Sequence, residues 1–145
     1  MKVYFGDLNF RIDMSREDIE EAVTSKDYRK LRVADEFFTQ GMMHEMLKTC
    51  EEGQLSFEPT YKYDVGTNDY DTSGKQRSAA WTDRVLFSQE VPSMTVGRYD
   101  RADVTISDHR PVYAHFKVKV NKIDDEARAL VEENLIAKFN ATMSN

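Results

Sequence analysis

Gly6-Asp7-Leu8-Asn9-Phe10-Arg11 sets a carboxylate and a carboxamide two residues apart, directly after a short apolar run. A carboxylate so placed can take a proton from water while the amide fixes that water or a phosphoryl oxygen. Asp and Asn in a turn can equally bond their own backbone, and these six residues leave both readings open. Ser107-Asp108-His109-Arg110-Pro111 is a second cluster, in which the Asp can bind a divalent cation while the imidazole meets a phosphoryl oxygen. Its other reading is a cap and turn ahead of a strand. In a third, Lys62, Lys75, Arg77 and Arg84 lie among Tyr61, Tyr63, Tyr70 and Trp81. Cations beside hydroxyl donors suit a polyanion, because charge-assisted hydrogen bonds to phosphate are stronger than neutral ones. The interspersed Asp64, Asp69 and Asp71 support the alternative of a solvated loop. His44 and His115 are read as surface residues.

These clusters need elements to carry them. Lys2-Val3-Tyr4-Phe5 reads as a strand that Gly6-Asp7 stops, leaving Asp7 at its C-terminal end. Ser15, with Asp18 three residues on, opens a helix bearing Ile19, Ala22 and Val23, and Ser25 is placed to cap a second short helix beginning near Asp27. Leu31 to Leu47 predicts two helical pieces broken at Gly41, with Met42, Met43 and Met46 as core packing. From Glu51 to Arg77 the pattern is that of a long polar loop ordered by its tyrosines. Strands are expected at Trp81 to Phe87 and Thr95 to Tyr99. A third carries Val112, Ala114, Phe116, Val118 and Val120 on one buried face. Asp124 to Phe139 predicts an amphipathic C-terminal helix, followed by a frayed polar tail.

Twenty-six acidic against 20 basic side chains give a net charge of -6, a field that repels nucleic acid and anionic lipid. Any phosphate ligand must therefore be held by a local basic cluster. A single cysteine, Cys50, excludes an internal disulfide or a cysteine metal cage. No run approaches the roughly 20 apolar residues of a membrane span, and the first residues lack the apolar stretch of a secretory signal. A cytoplasmic setting is the expectation.

Four segments, in order and spacing, resemble the inositol polyphosphate 5-phosphatases: Gly6-Asp7-Leu8-Asn9-Phe10-Arg11, Phe57-Glu58-Pro59-Thr60-Tyr61-Lys62-Tyr63-Asp64, Arg77-Ser78-Ala79-Ala80-Trp81-Thr82-Asp83-Arg84-Val85-Leu86 and Ser107-Asp108-His109-Arg110-Pro111-Val112. The continuation Val112-Tyr113-Ala114 looks most like the synaptojanin-like branch. The resemblance implies an α/β (α+β) fold, the C-terminal half of an endonuclease/exonuclease/phosphatase-type two-sheet β-sandwich flanked by helices. Residues 1–120 would be the partial catalytic domain and residues 121–145 the helix and tail. It also implies Mg2+-dependent removal of the 5-phosphate from phosphoinositide lipids or soluble inositol polyphosphates, peripheral contact with the cytosolic face of membranes, and no nucleic-acid partner.

Carried over by the resemblance, Asp7 would activate the attacking water and Asn9 would hold the scissile phosphate. His109 would stabilise the transferring phosphoryl group, and Asp108 would support the metal or the imidazole. Tyr61, Lys62, Lys75 and Arg77 match positions that grip the neighbouring 4-phosphate; Arg84, grouped with them, would brace the site from the strand. Two departures stand out, Ala79 where the family has proline and Thr82 where it has cysteine. Both are expected to alter packing more than chemistry.

The family's catalytic domain is about twice this length, and its first half, which brings the metal-binding Asn and Glu and another active-site His, has no counterpart here. The expectation is a chain with apolar faces and strand edges left open that alone hydrolyses phosphoinositides poorly or not at all. The alternatives are a non-catalytic module that binds the phosphoinositide headgroup, and a nuclease or sphingomyelinase-like esterase of the same superfamily.

Overall fold

The computed structural model describes residues 2–40, 45, 47–88 and 94–143. Strand β1 (Val3–Asp7) pairs antiparallel with β3 (Asp83–Ser88), and β3 pairs antiparallel with β2 (Cys50–Glu52), giving a sheet ordered β1-β3-β2. A second sheet joins β4 (Met94–Arg101) to β5 (Val112–Val118), with a register shift between Val96 and Arg98. β1 includes Gly6 and ends at Asp7, which stands at its C-terminal end as the sequence suggested. Gly6 adopts φ +128°, which a side chain would strain, and the strand runs through it to place Asp7 opposite Asp83.

The sheets meet through the edge-to-face rings of Phe87 and Phe116, 5.5 Å apart, and through Tyr99, whose hydroxyl donates to Glu52 Oε1 at 2.8 Å. A Cβ on Gly53 would lie 2.8 Å from Tyr99 Cβ, so only glycine lets these segments approach. Trp81 is fully buried at the centre of a core with Ile19, Leu31, Leu55, Phe57 and Ala80, and its indole N–H donates to the Phe57 carbonyl at 3.1 Å.

Helix α1 (Arg16–Thr24) begins where expected. The Ser15 side chain accepts the Asp18 N–H at 3.1 Å, and Ile19 and Ala22 are buried. Ser25 closes α1 instead of opening the next helix, its N–H donating to the Glu21 carbonyl at 2.9 Å. Asp27 caps α2 (Tyr28–Val33) by accepting the Lys30 N–H at 3.1 Å. A helical break falls at Ala34-Asp35, where the buried Asp35 carboxylate both caps α3 (Glu36–Thr39) and receives Arg84; the break expected at Gly41 lies outside the described residues. Gly41, Met42, Met43, His44 and Met46 lie outside the described residues.

The alternating segment forms β5, but its apolar face is only half covered. Val112, Ala114 and Phe116 are half-buried, Val118 is exposed, and Val120 lies beyond the strand. His115 is exposed, as expected. Helix α4 (Asp125–Met143) buries no residue. Its apolar side chains do not form the single stripe anticipated, since Leu130 and Phe139, nine residues apart, point about 180° apart. Among the described residues, no helix is long and apolar enough to cross a membrane. Phe5 on the outer strand β1 is 77 % exposed, in keeping with an uncovered sheet face.

Candidate active site

The first motif sits where β1 gives way to a turn. Leu8 N–H continues the pairing to the Thr82 carbonyl at 2.8 Å, and Asn9 then folds back with φ +60°, a conformation that asparagine tolerates. Its N–H donates to Asp7 Oδ1 at 2.9 Å, while its side-chain oxygen accepts from Arg11 Nη2. The local turn and the site are therefore one structure. The turn fixes the Asp7 carboxylate, and Arg11 occupies the amide oxygen of Asn9, leaving the amide N–H groups to face a ligand.

His109 arrives from the other sheet. Its Nδ1 lies 2.7 Å from Asp83 Oδ2. A carboxylate only accepts, so Nδ1 carries the proton and Nε2 is left for the ligand. The Thr82 hydroxyl donates to the same Oδ2 at 2.8 Å and stands 3.4 Å from Nδ1. Thr82 is thus linked to the imidazole through Asp83. The His109 ring rests against Tyr61 at 4.7 Å, and the Arg11 guanidinium lies over Tyr61 at 4.7 Å. Contacts and strand register therefore link Asp7, Asp83, His109, Tyr61, Arg11 and Asn9 in a closed circuit.

The backbone stitches the loops together beneath this circuit. Tyr63 N–H donates to the Asp108 carbonyl at 2.9 Å, and Arg110 N–H to the Thr60 carbonyl at 2.8 Å. Arg110 is buried over the Tyr63 ring at 3.8 Å, donating to the Ser107 carbonyl at 3.1 Å and to the Thr67 carbonyl.

The long loop is ordered, and its Asp64 and Asp71 carboxylates are engaged within it. Buried Asp71 accepts the N–H of Ser73 at 3.1 Å and of Arg77 at 2.8 Å. The Ser73 hydroxyl and the Arg77 N–H hold its carboxyl down at about 2. Asp64 accepts the Thr72 hydroxyl at 2.6 Å. Asp71 thereby anchors the turn that presents the exposed side chains of Lys75 and Arg77, and its Oδ1 is 3.9 Å from Lys62 Nζ. Tyr61 is delivered against His109, while Lys62 stands beside Asp71 and Lys75 and Arg77 stand on the Asp71-held turn.

Arg84 does not belong with the substrate cations. It is fully buried, gripping Asp35 with both terminal nitrogens at 2.8 and 2.9 Å and Glu52 with Nε at 2.9 Å. No donor is left to face solvent, and its role is the brace that the strand position suggested. Two carboxylates share this one cation, and Glu52 Oε2 has no hydrogen-bond partner. Burial pushes Asp35 up to about 6 and Glu52 up to about 7.

Sequence reasoning missed Asp83, although it stands inside one of the quoted motifs, and missed Arg11 as the partner of both Asn9 and Tyr61. The available signal for Asp83 was an acid opening a strand, directly across from Asp7 once the strands are paired. For the implied Mg2+, the residues in hand do not suffice. Among those described, no three His, Cys, Asp or Glu side chains converge to hold a metal, and Asp108 offers one half-buried carboxylate.

Residues 1–115 match the model of Endonuclease/Exonuclease/phosphatase family 2. Synaptojanin of Caenorhabditis elegans is 43 % identical over 122 residues, which cover 83 % of this chain and 11 % of that protein. The phosphatidylinositol 4,5-bisphosphate 5-phosphatase INP51 of Saccharomyces cerevisiae is 38 % identical over 137 residues, covering 94 % and 14 % respectively. Among solved structures, the inositol polyphosphate 5-phosphatase domain of SPsynaptojanin, in complex with inositol (1,4)-bisphosphate and calcium, superposes with a TM-score of 0.81 at 33 % identity. The match covers 97 % of this chain and 41 % of that one. A mutant nitrophorin of Cimex in its ferrous NO complex superposes with a TM-score of 0.73 at 28 % identity, over 81 % of this chain and 41 % of that one. The fold thus serves more than one chemistry, and activity has to be argued from side chains.

Proposed function

From the premise that this chain belongs to Endonuclease/Exonuclease/phosphatase family 2, we propose that it forms part of the catalytic domain of a phosphoinositide or inositol polyphosphate 5-phosphatase. The observation that carries this reading is the circuit joining Asp7 and Asn9 on one sheet to His109 from the other through Asp83. In it Asp7 takes a proton from the attacking water, Asn9 donates its amide N–H to a phosphoryl oxygen, and His109 Nε2 meets the charge that develops on the transferring group. Asp83 holds the imidazole in one orientation, as a carboxylate behind a histidine does in many hydrolytic sites. Tyr61 beside this centre, with Lys62, Lys75 and Arg77, supplies hydroxyl and cationic donors for a second phosphate on the same ring. Phosphoryl transfer asks mainly for such placement and charge stabilisation.

The chain spans 11 % and 14 % of the two curated relatives and 41 % of the structural neighbour. The magnesium site is proposed to draw one ligand from Asp108 and the others from the part of the relatives' domain that these residues do not span. By itself the chain is then a headgroup-binding unit with little turnover, a second reading favoured by the absence of a three-ligand metal cluster among the described residues. The test is a chimera in which these residues replace the matching segment of the Caenorhabditis elegans synaptojanin. Release of the 5-phosphate from phosphatidylinositol 4,5-bisphosphate, lost on Asp7→Ala or His109→Ala, is the expected result. A folded chimera with no turnover, or one indifferent to both substitutions, would overturn the proposal.

A further inference from the structure

We propose that the groove between α2 and residues 54–56 is a second anion site, built for a phosphomonoester group and separate from the candidate active site. The groove has a volume of about 380 Å³ and is lined by Lys26, Arg29 and Arg32 on one side and by Gln54 and Ser56 on the other. Arg29 and Arg32, three apart on α2, are neighbours on one helix face, and Lys26 joins them from the turn that enters the helix. All three are exposed, and among the described residues none has a carboxylate within ion-pair distance. Arg32 lies over the Phe38 ring at 4.2 Å, which orients its guanidinium without neutralising it.

Neighbouring charges make the contrast. Lys30, on the same helix, is paired with Asp18 at 3.5 Å and Glu21 at 3.7 Å. In the adjoining cleft Arg98 is paired with Asp100 at 3.0 Å, and Arg101 with Glu58 at 2.7 Å and Asp103 at 3.3 Å. One acid lines the α2 groove, Asp27, and its carboxylate is engaged as the cap of α2. A chain of net charge -6 therefore concentrates three cations in one concave place, beside the hydroxyl of Ser56 and the amide of Gln54; Lys26 and Arg29 have no carboxylate partner among the described residues, and Arg32 feels the buried Asp35 and Glu52 only at a distance. A phosphomonoester, with two negative charges and several acceptor oxygens, matches that donor set. The groove shares no residue with the circuit around His109, so the inference stands whether or not that circuit is catalytic.

The source of the phosphate can be a lipid surface or a soluble ester, and two probes separate them. Binding of the full chain is measured to phosphatidylcholine vesicles carrying phosphatidic acid and, separately, to glycerol 3-phosphate in solution, a phosphomonoester without an inositol ring. A basic side chain near an anionic surface contributes about fivefold in affinity, so K26E/R29E/R32E is expected to weaken binding about a hundredfold. R29K/R32K, which keeps all three charges, should retain it. A loss confined to vesicles assigns the groove to a lipid headgroup, and a loss confined to the soluble probe assigns it to a free phosphate ester. Unchanged fluorescence of the buried Trp81 shows that each variant is folded. The proposal is overturned if the parent chain binds neither probe, if the triple reversal changes both by less than twofold, or if reversing Lys117 and Lys119 on β5 costs as much.

Discussion

Replacing Arg84 with methionine keeps the length of the side chain and removes the cation that is hydrogen-bonded to two buried carboxylates. Asp35 would keep the Phe37 N–H at 3.1 Å, and Glu52 the Tyr99 hydroxyl at 2.8 Å. Neither contact balances a charge, and breaking a buried ion pair from one side costs about 3–5 kcal/mol. The cost depends on pH. Both acids have folded-state values above their ordinary 3.8 and 4.5, so their protonated forms suit the fold. Their contribution to stability is complete below the ordinary values and is lost as pH rises through about 6 for Asp35 and about 7 for Glu52. Without the guanidinium both rise further, so Arg84→Met should be far more damaging at pH 8 than at pH 5. Trp81, the single tryptophan and fully buried, reports urea unfolding by its fluorescence. With a slope of about 2 kcal/mol per M, the midpoint at pH 8 should fall by about 2 M, and much less at pH 5. A midpoint shift below about 0.5 M at pH 8, accompanied by loss of inositol phosphate binding, would refute the assignment of Arg84 to the interior and return it to the substrate face.

Three further outcomes follow from the same packing. Glu52→Gln keeps the acceptor for Arg84 and Tyr99 while removing the charge. The variant should be more stable than the parent at pH 8 by about 1–2 kcal/mol, with a flatter stability profile between pH 5 and 8 by urea titration. Gly53→Ala forces a methyl to within 2.8 Å of Tyr99 Cβ and should cost about 1–3 kcal/mol by the same assay; an unchanged midpoint would mean that the Tyr99 ring is freer than its bond to Glu52 implies. In the synaptojanin chimera, Thr82→Val removes the hydroxyl from Asp83 and should lower kcat about three- to tenfold at constant KM, with Thr82→Ser restoring it. A change in KM alone would leave Thr82 outside the His109 circuit.

Local chemistry made parts of the site legible in the sequence. Asp7 and Asn9 follow a strand and a glycine, and Asp108 and His109 precede an alternating strand, so short windows sufficed to propose them. The partnerships were not local. His109 meets Asp83 across 26 positions and two sheets, and Arg84 meets Asp35 across 49 positions and Glu52 across 32. A charged residue inside an apolar strand gives no local sign of whether its partners are water or buried acids. The same limit explains the helices. The break at Asp35 answers to Arg84, a demand made from elsewhere in the chain, whereas glycine at position 41 was the only breaker visible nearby. Helix α4 and the half-covered face of β5 were misjudged because periodicity describes which residues are apolar and not what covers them.

Convergence of the dispersed polar groups on one phosphate ester can be tested on the chain directly. Amide and imidazole NMR spectra are recorded while inositol 1,4-bisphosphate, the ligand held by the structural neighbour, is titrated in. Saturable shifts confined to the Asp7–Arg11 turn, the segment from Tyr61 to Tyr63, Thr82 with Asp83, and the His109 ring are the expected result. Shifts that gather elsewhere, or that touch only one of these segments, would contradict the idea that they form a single site.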